Sequence, residues 1–209
     1  MSLTFYVAPM STASVTELVL AELGVPCERV PMDIQKGDTK KPDFLKVNPN
    51  GKVPVIVHDG TVIFESAAIT MYLGEMFGVE KKLYPAPGPK RGEAMKWCVW
   101  ANVTLGDAVG RWTRNTMDYY PADQKNAKAG EAAEADMKNC LAILDGGLAG
   151  KQYLTGDDYT LVDAHLHSFL DWLRMMKVDF SALSNLNAWS KRCSERPAYA
   201  KLMATYAGH

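Results

Sequence analysis

Asn48-Pro49-Asn50-Gly51-Lys52-Val53-Pro54-Val55-Ile56 runs, within one hairpin, into Phe64-Glu65-Ser66-Ala67-Ala68-Ile69. Val53 to Val57 is a short β-branched run and reads as a strand. Asp59-Gly60 is a hairpin turn signal, and Thr61 to Phe64 is the returning strand. Ser66 then stands at the mouth of a helical pattern through Ile69, Tyr72 and Leu73. Pro54 lies at a strand entrance, where its missing N–H is tolerated, and an X–Pro bond there can be cis. The Val53 N–H and C=O fall at the sheet rim, where an extended peptide can pair like an extra strand. The helix that follows offers free N–H groups and a partial positive charge. A carboxylate suits the backbone and hydroxyl of Ser66, and an ammonium group suits Glu65. Peptide pairing, a carboxylate pocket and an ammonium acceptor in one corner fit a small zwitterionic peptide. A hairpin with a plain helix cap is the structural alternative.

Outward from this stretch the chain divides by composition. Leu3 to Val7 reads as a strand, Ala8 to Ser14 as a small, polar turn, and Thr16 to Leu23 as a helix ended by Gly24 and Pro26. Cys27 to Met32 is a second strand. Asp33 to Asn50 is polar, with one helical turn near Asp43 to Lys46. Pro85, Pro87 and Pro89 mark Gly78 to Gly92 as a linker. Beyond it Glu93 to about Arg114 and Asp123 to about Leu148 carry helical patterns. Asp158-Tyr159-Thr160-Leu161-Val162-Asp163-Ala164 opens a third long helix, with Thr160 and Asp163 spaced as a capping box. Leu161, Leu166, Phe169, Leu170 and Leu173 supply its core face. Pro197 begins the last helix, through Tyr199 and Leu202. The expected architecture is an α/β N-terminal domain over residues 1–77, a linker over 78–92 and an all-α C-terminal domain over 93–209.

Several function classes are disfavoured at this level. With 209 residues, 47% hydrophobic content and a formal net charge of −1, the chain can bury a core without disulfides and carries no basic block for nucleic acid. Lys40-Lys41 and Lys81-Lys82 read as isolated, solvated pairs. No apolar run approaches a membrane span, and a strand begins almost at once without a signal-peptide pattern, so a cytoplasmic protein is expected. Cys27, Cys98, Cys140 and Cys193 form no C-x-x-C pair and are expected as free thiols. His58, His165, His167 and His209 show no zinc-type spacing, so no metal is expected.

The Asn48–Pro54 segment followed by Glu65-Ser66-Ala67-Ala68-Ile69 resembles the glutathione-site signature of the cytosolic glutathione S-transferases, and the capping box resembles that family's C-terminal capping motif. The resemblance covers nearly the whole chain. It implies a thioredoxin-like N-terminal domain, glutathione as co-substrate, and a homodimer. It implies that Val53, beside Pro54, pairs with the cysteinyl backbone, that Glu65 and Ser66 hold the γ-glutamyl end, and that Lys36 or Lys52 reaches the glycine carboxylate. The family stabilises the thiolate from the turn after the first strand, here Met10-Ser11-Thr12-Ala13-Ser14. No cysteine occurs there, which disfavours the cysteine-dependent branch and thiol exchange. Ser11 is the first candidate donor and Thr12 the second. Ser14 is placed as a helix cap, and Tyr6, inside the strand, ranks below the hydroxyls. Arg111, Trp112 and Asn115 are the candidates for a small electrophile lying between the domains. The expected activity is transfer of glutathione to that electrophile. The alternatives are a noncatalytic module that binds a protein partner, or glutathione-dependent isomerase or peroxidase chemistry.

Overall fold

A computed structural model of the chain describes residues 2–207. The first half is a four-stranded sheet of order β2-β1-β3-β4 with three helices. Its strands are β1 (Leu3–Val7), β2 (Glu28–Pro31), β3 (Val55–His58) and β4 (Thr61–Phe64), and its helices α1 (Ala13–Leu23), α2 (Pro42–Val47) and α3 (Ser66–Leu73). β1 is parallel to β2 and antiparallel to β3, and β3 is antiparallel to β4. Leu3, Phe5 and Val7 alternate into the core, the period-2 pattern of a strand covered on one face. The β-α-β start and returning hairpin are the expected thioredoxin-like arrangement.

Register builds the corner. Tyr6 pairs with Val55, and Val55 pairs with Phe64. The end of β1, the approach to β3 and the end of β4 therefore meet at one rim. The turn after β1, Val53-Pro54 and Glu65-Ser66 come together there without any being adjacent in sequence.

The second half is helical: α4 (Pro89–Trp100), α5 (Gly106–Thr116), α6 (Ala127–Gly147), α7 (Leu161–Met175), α8 (Ser184–Ser194) and α9 (Pro197–Ala207). α7 is the central helix and packs on α1, carrying Leu161, Leu166, Leu170 and Leu173 fully into the core. Asp163 is completely buried. Its carboxylate accepts from Thr160 N at 2.8 Å, Leu154 N at 2.9 Å and the Trp189 indole at 2.8 Å, so the capping box also ties α8 to α7.

Several boundaries differ from expectation. β3 begins at Val55, leaving Val53 outside the ladder. α1 begins at Ala13, so Ser14 lies inside the helix and does not cap it. α4 begins at Pro89, within the stretch read as linker, because proline fits the first turn of a helix, where the N–H is unpaired in any case. The long pattern over 93–114 is α4 and α5 joined by a π-helical turn, Ala101–Leu105. α6 starts at Ala127, where the Asn126 side chain accepts from Ala129 N. α8 was not expected, although Leu186, Trp189 and Cys193 have helical spacing and are buried. Lys40 and Lys81 are not simply solvated, since each ammonium donates to a backbone carbonyl, of Gly51 and Leu23 respectively.

Candidate functional site

The Asn48–Lys52 loop is shaped by one side chain. Asn48 Nδ2 donates to Lys52 O at 2.7 Å, while Asn48 Oδ1 accepts from Asn50 N at 3.1 Å. Gly51 has φ +60°, and a Cβ there would stand 2.8 Å from Thr39 O and 2.7 Å from Lys40 Nζ, so this position takes only glycine without strain. The loop delivers Val53, whose peptide bond to Pro54 is cis. Val53 is buried, and its carbonyl accepts a 3.3 Å hydrogen bond from Thr12 Oγ1.

On the neighbouring strand Glu65 has φ +71°, an uncommon conformation for a residue with a side chain. Such backbone costs about 1–3 kcal/mol and is found preferentially where function needs it. It turns β4 sharply into α3. The first intrahelical bond runs from Ile69 N–H to Glu65 O at 2.9 Å, so the N–H groups of Ser66, Ala67 and Ala68 have no acceptor within the helix. The Glu65 carboxylate is exposed and has no ion-pair or hydrogen-bond partner among the described residues. Val53, Pro54, Glu65 and Ser66, all anticipated from the sequence, share this corner.

The turn after β1 lies on the same rim. Met10 has φ +54° and bends the chain there. Ser11 Oγ donates to Ala8 O at 2.7 Å and accepts from Ala13 N at 3.2 Å, so its single proton is engaged in closing the turn. Thr12 is exposed, and its hydroxyl makes only the long bond to Val53 O among the described residues. Thr12 thus stands beside the Val53 backbone, while Ser11 closes the turn. Ser14 Oγ donates back to Ser11 O at 3.1 Å. Tyr6 packs against Phe44, ring centroids 5.5 Å apart.

The lysines separate. Lys36 is exposed at 82% and pairs with Asp33 at 3.1 Å. Lys52 is exposed next to Val53. Lys40, not singled out beforehand, holds its ammonium 3.0 Å from Gly51 O. No sequence motif flags it, because the contact spans a turn and a helix.

Arg111 and Asn115 are tied to neighbouring side chains and backbone. Arg111 pairs with Asp107 and with Asp136 of α6, each at 2.8 Å. Asn115 Oδ1 accepts from Asn126 N at 2.9 Å, anchoring the start of α6. Trp112 is half-buried against the core. Helical periodicity alone could not reveal that Arg111 of α5 pairs with Asp136 of α6. A cavity of about 310 Å³ opens between the turn after β1, α1, α7 and α9. Met10, Ser11, Trp172, Met175, Tyr199 and Met203 are among its lining residues. Its one carboxylate, Asp171, is neutralised by Arg174 at 2.9 Å.

Cys98, Cys140 and Cys193 are buried free thiols, and burial pushes Cys98 up to about 12, away from thiolate chemistry. Among the described residues no group of three or more His, Cys, Asp or Glu side chains could hold a metal ion, and no helix is long and apolar enough to cross a membrane. His209 lies outside the described residues.

Two family profiles match the chain: "Glutathione S-transferase, N-terminal domain" over residues 1–75 and "Glutathione S-transferase, C-terminal domain" over residues 112–197. The chain is 32% identical over 191 residues to glutathione S-transferase GstB of Escherichia coli (strain K12), covering 89% of each protein. Among solved structures it resembles the glutathione transferase URE2P6 of Phanerochaete chrysosporium, in complex with oxidized glutathione. The TM-score is 0.90 at 25% identity, covering 99% of this chain and 97% of the other. A glutathione transferase of Methylococcus capsulatus gives a TM-score of 0.86 at 26% identity, covering 99% and 100%.

Proposed function

The chain belongs to the glutathione S-transferase family, and from that premise we propose that it binds glutathione at the Val53, Glu65 and Ser66 corner and transfers it to a small apolar electrophile. The observation that carries this reading is the meeting of an unpaired strand approach, a free carboxylate and an open helix N-terminus at one rim. Val53 N–H and C=O pair with the cysteinyl backbone, as an added strand would. The first N–H groups of α3 and the Ser66 hydroxyl hold the γ-glutamyl carboxylate, and Glu65 holds the ammonium. Lys40, bonded to Gly51 O, and exposed Lys52 supply the cations for the glycine carboxylate. Lys36, paired with Asp33, is less well placed.

Glutathione supplies the nucleophile, a thiolate. The chain contributes stabilisation of the negative sulfur by the Thr12 hydroxyl and the N-terminus of α1. The cavity lined by Trp172, Met175 and Tyr199 takes the electrophile, and its sulfur-bearing and aromatic walls adapt to varied apolar shapes.

The same reading makes the protein a cytoplasmic homodimer with the chain divided after Phe77. Supporting it are exposed apolar side chains on β4 and on the stretch from α4 into the π turn, Val62, Phe64, Val99 and Val103, with Met76 beyond α3.

Glutathione titrated calorimetrically into the wild type and into Glu65→Ala tests the corner. We expect the variant to bind at least several-fold more weakly, as for a charge-assisted bond of about 1.5–3 kcal/mol. Equal affinities would remove Glu65, and with it this corner, from the binding site.

A further inference from the structure

Ser66 is the last member of a chain of hydrogen bonds that begins in the protein interior. Thr70 Oγ1 lies 2.9 Å from His165 Nδ1, His165 Nε2 lies 2.8 Å from Asn102 Oδ1, and Asn102 Nδ2 lies 2.7 Å from Ser66 Oγ. The chain crosses from α3 to α7, to the π turn between α4 and α5, and back to the first residue of α3. π turns inside helices recur at functional sites, and this one bears Asn102.

The direction of every bond follows from proton counting. Thr70 is fully buried, and among the described residues its hydroxyl has no acceptor but His165 Nδ1. A buried hydroxyl proton without an acceptor costs free energy, so Thr70 donates. His165 is fully buried with no carboxylate in contact, and burial pushes its pKa down to about 3, so the ring is neutral and holds one proton. With Nδ1 accepting, that proton is on Nε2 and goes to Asn102 Oδ1. Asn102 must then present its NH2 to Ser66, whose oxygen accepts. The Ser66 proton is left with no acceptor among the described residues. The opposite polarity would spend the Ser66 proton on Asn102 and strand the Thr70 proton in the core.

We propose that Asn102 and His165 are positioning residues that fix the hydrogen-bond polarity of Ser66, so that its hydroxyl is presented as a donor to the γ-glutamyl carboxylate of glutathione. The inference rests on the glutathione reading of this corner and adds a role for two residues that do not themselves touch the ligand. It makes the second half of the chain part of the binding site in the first.

Calorimetric Kd values test it, for glutathione and for the analogue lacking the γ-glutamyl α-carboxylate. Ser66→Ala is expected to weaken glutathione about tenfold, with little change for the analogue. Asn102→Asp keeps the shape but can only accept, so it draws the Ser66 proton inward. It should weaken glutathione by tenfold or more, and by clearly less in a Ser66→Ala background. His165→Gln, whose amide supplies both a donor and an acceptor, should stay within about threefold of wild type, whereas His165→Leu should not. Suppose Ser66→Ala weakens glutathione but Asn102→Asp does not, or weakens the analogue equally, or His165→Gln and His165→Leu lose the same affinity. The polarity role is then overturned while the binding corner stands. If Ser66→Ala binds glutathione like the wild type, the underlying assignment of Ser66 fails, and the inference with it.

Discussion

Ser11 and Thr12 carry the same functional group one residue apart, and their neighbours separate them. The Ser11 proton is committed to Ala8 O at 2.7 Å, a bond that closes the turn. Thr12 Oγ1 makes one bond of 3.3 Å to the carbonyl of the residue proposed to meet the cysteinyl backbone. Rotating the Thr12 hydroxyl onto a sulfur gives up little, and rotating that of Ser11 opens a turn. Thr12→Ala is therefore expected to raise the pKa of the bound thiol by roughly one to two units, a loss of about 1.4–2.7 kcal/mol of thiolate stabilisation. The rate at neutral pH falls and recovers at high pH. Ser11→Ala should instead lower the unfolding midpoint and leave that pKa nearly unchanged. Ultraviolet titration of the bound thiolate decides between them, and a pKa that moves only in Ser11→Ala would return the role to Ser11.

At the scale of one element, α7 carries two buried histidines. Burial holds His165 down to about 3 and His167 down to about 4, both far below the ordinary value near 6.5. Both are depressed in the folded state, so between pH 6.5 and those values the unfolded chain binds more protons. Their stabilising effect is therefore complete above about pH 6.5 and declines as pH falls through the window. Each histidine contributes a slope of at most about 1.4 kcal/mol per pH unit. The urea midpoint of the wild type should drop steadily from pH 6.5 to 4.5, and His165→Gln should flatten that drop by about half. A variant whose midpoint follows the wild-type pH profile would show that His165 is not held neutral by the fold.

The whole molecule is fastened through α1. Arg196, at the approach to α9, forms a two-pronged pair with buried Glu22, both contacts at 2.7 Å, and Tyr206 near the other end of α9 bonds Glu17. These ties hold α9 over the apolar cavity and join the two halves of the chain. Elsewhere the surface leaves Val62, Phe64, Met76, Val99 and Val103 exposed at 36–66%. A two-fold pair of chains covering these side chains is the simplest closed assembly. Light scattering over a dilution series should give twice the chain mass, and Val103→Asp should lower it towards one. A single-chain mass at every concentration would rule the dimer out.

Sequence alone determined the order of elements in the first half, the corner and the family resemblance, because those signals are local. β-branched runs, Asp59-Gly60, the Thr160 and Asp163 box and the Val53-Pro54 and Glu65-Ser66 pairs each act within a few residues. It also placed Val53, Glu65 and Ser66 correctly on one rim, since a hairpin register follows from its turn. The tertiary structure decided the rest. Choosing between Ser11 and Thr12 depends on which carbonyl each hydroxyl meets, 3 residues away in one case and 41 in the other. Arg111 and Asn115 find partners on or before α6, 25 and 11 residues along the chain. Asn102 and His165 join Ser66 and Thr70 across 36 to 95 residues of chain. Hydrogen-bond partners at such separations are fixed by packing, which periodicity and composition do not encode.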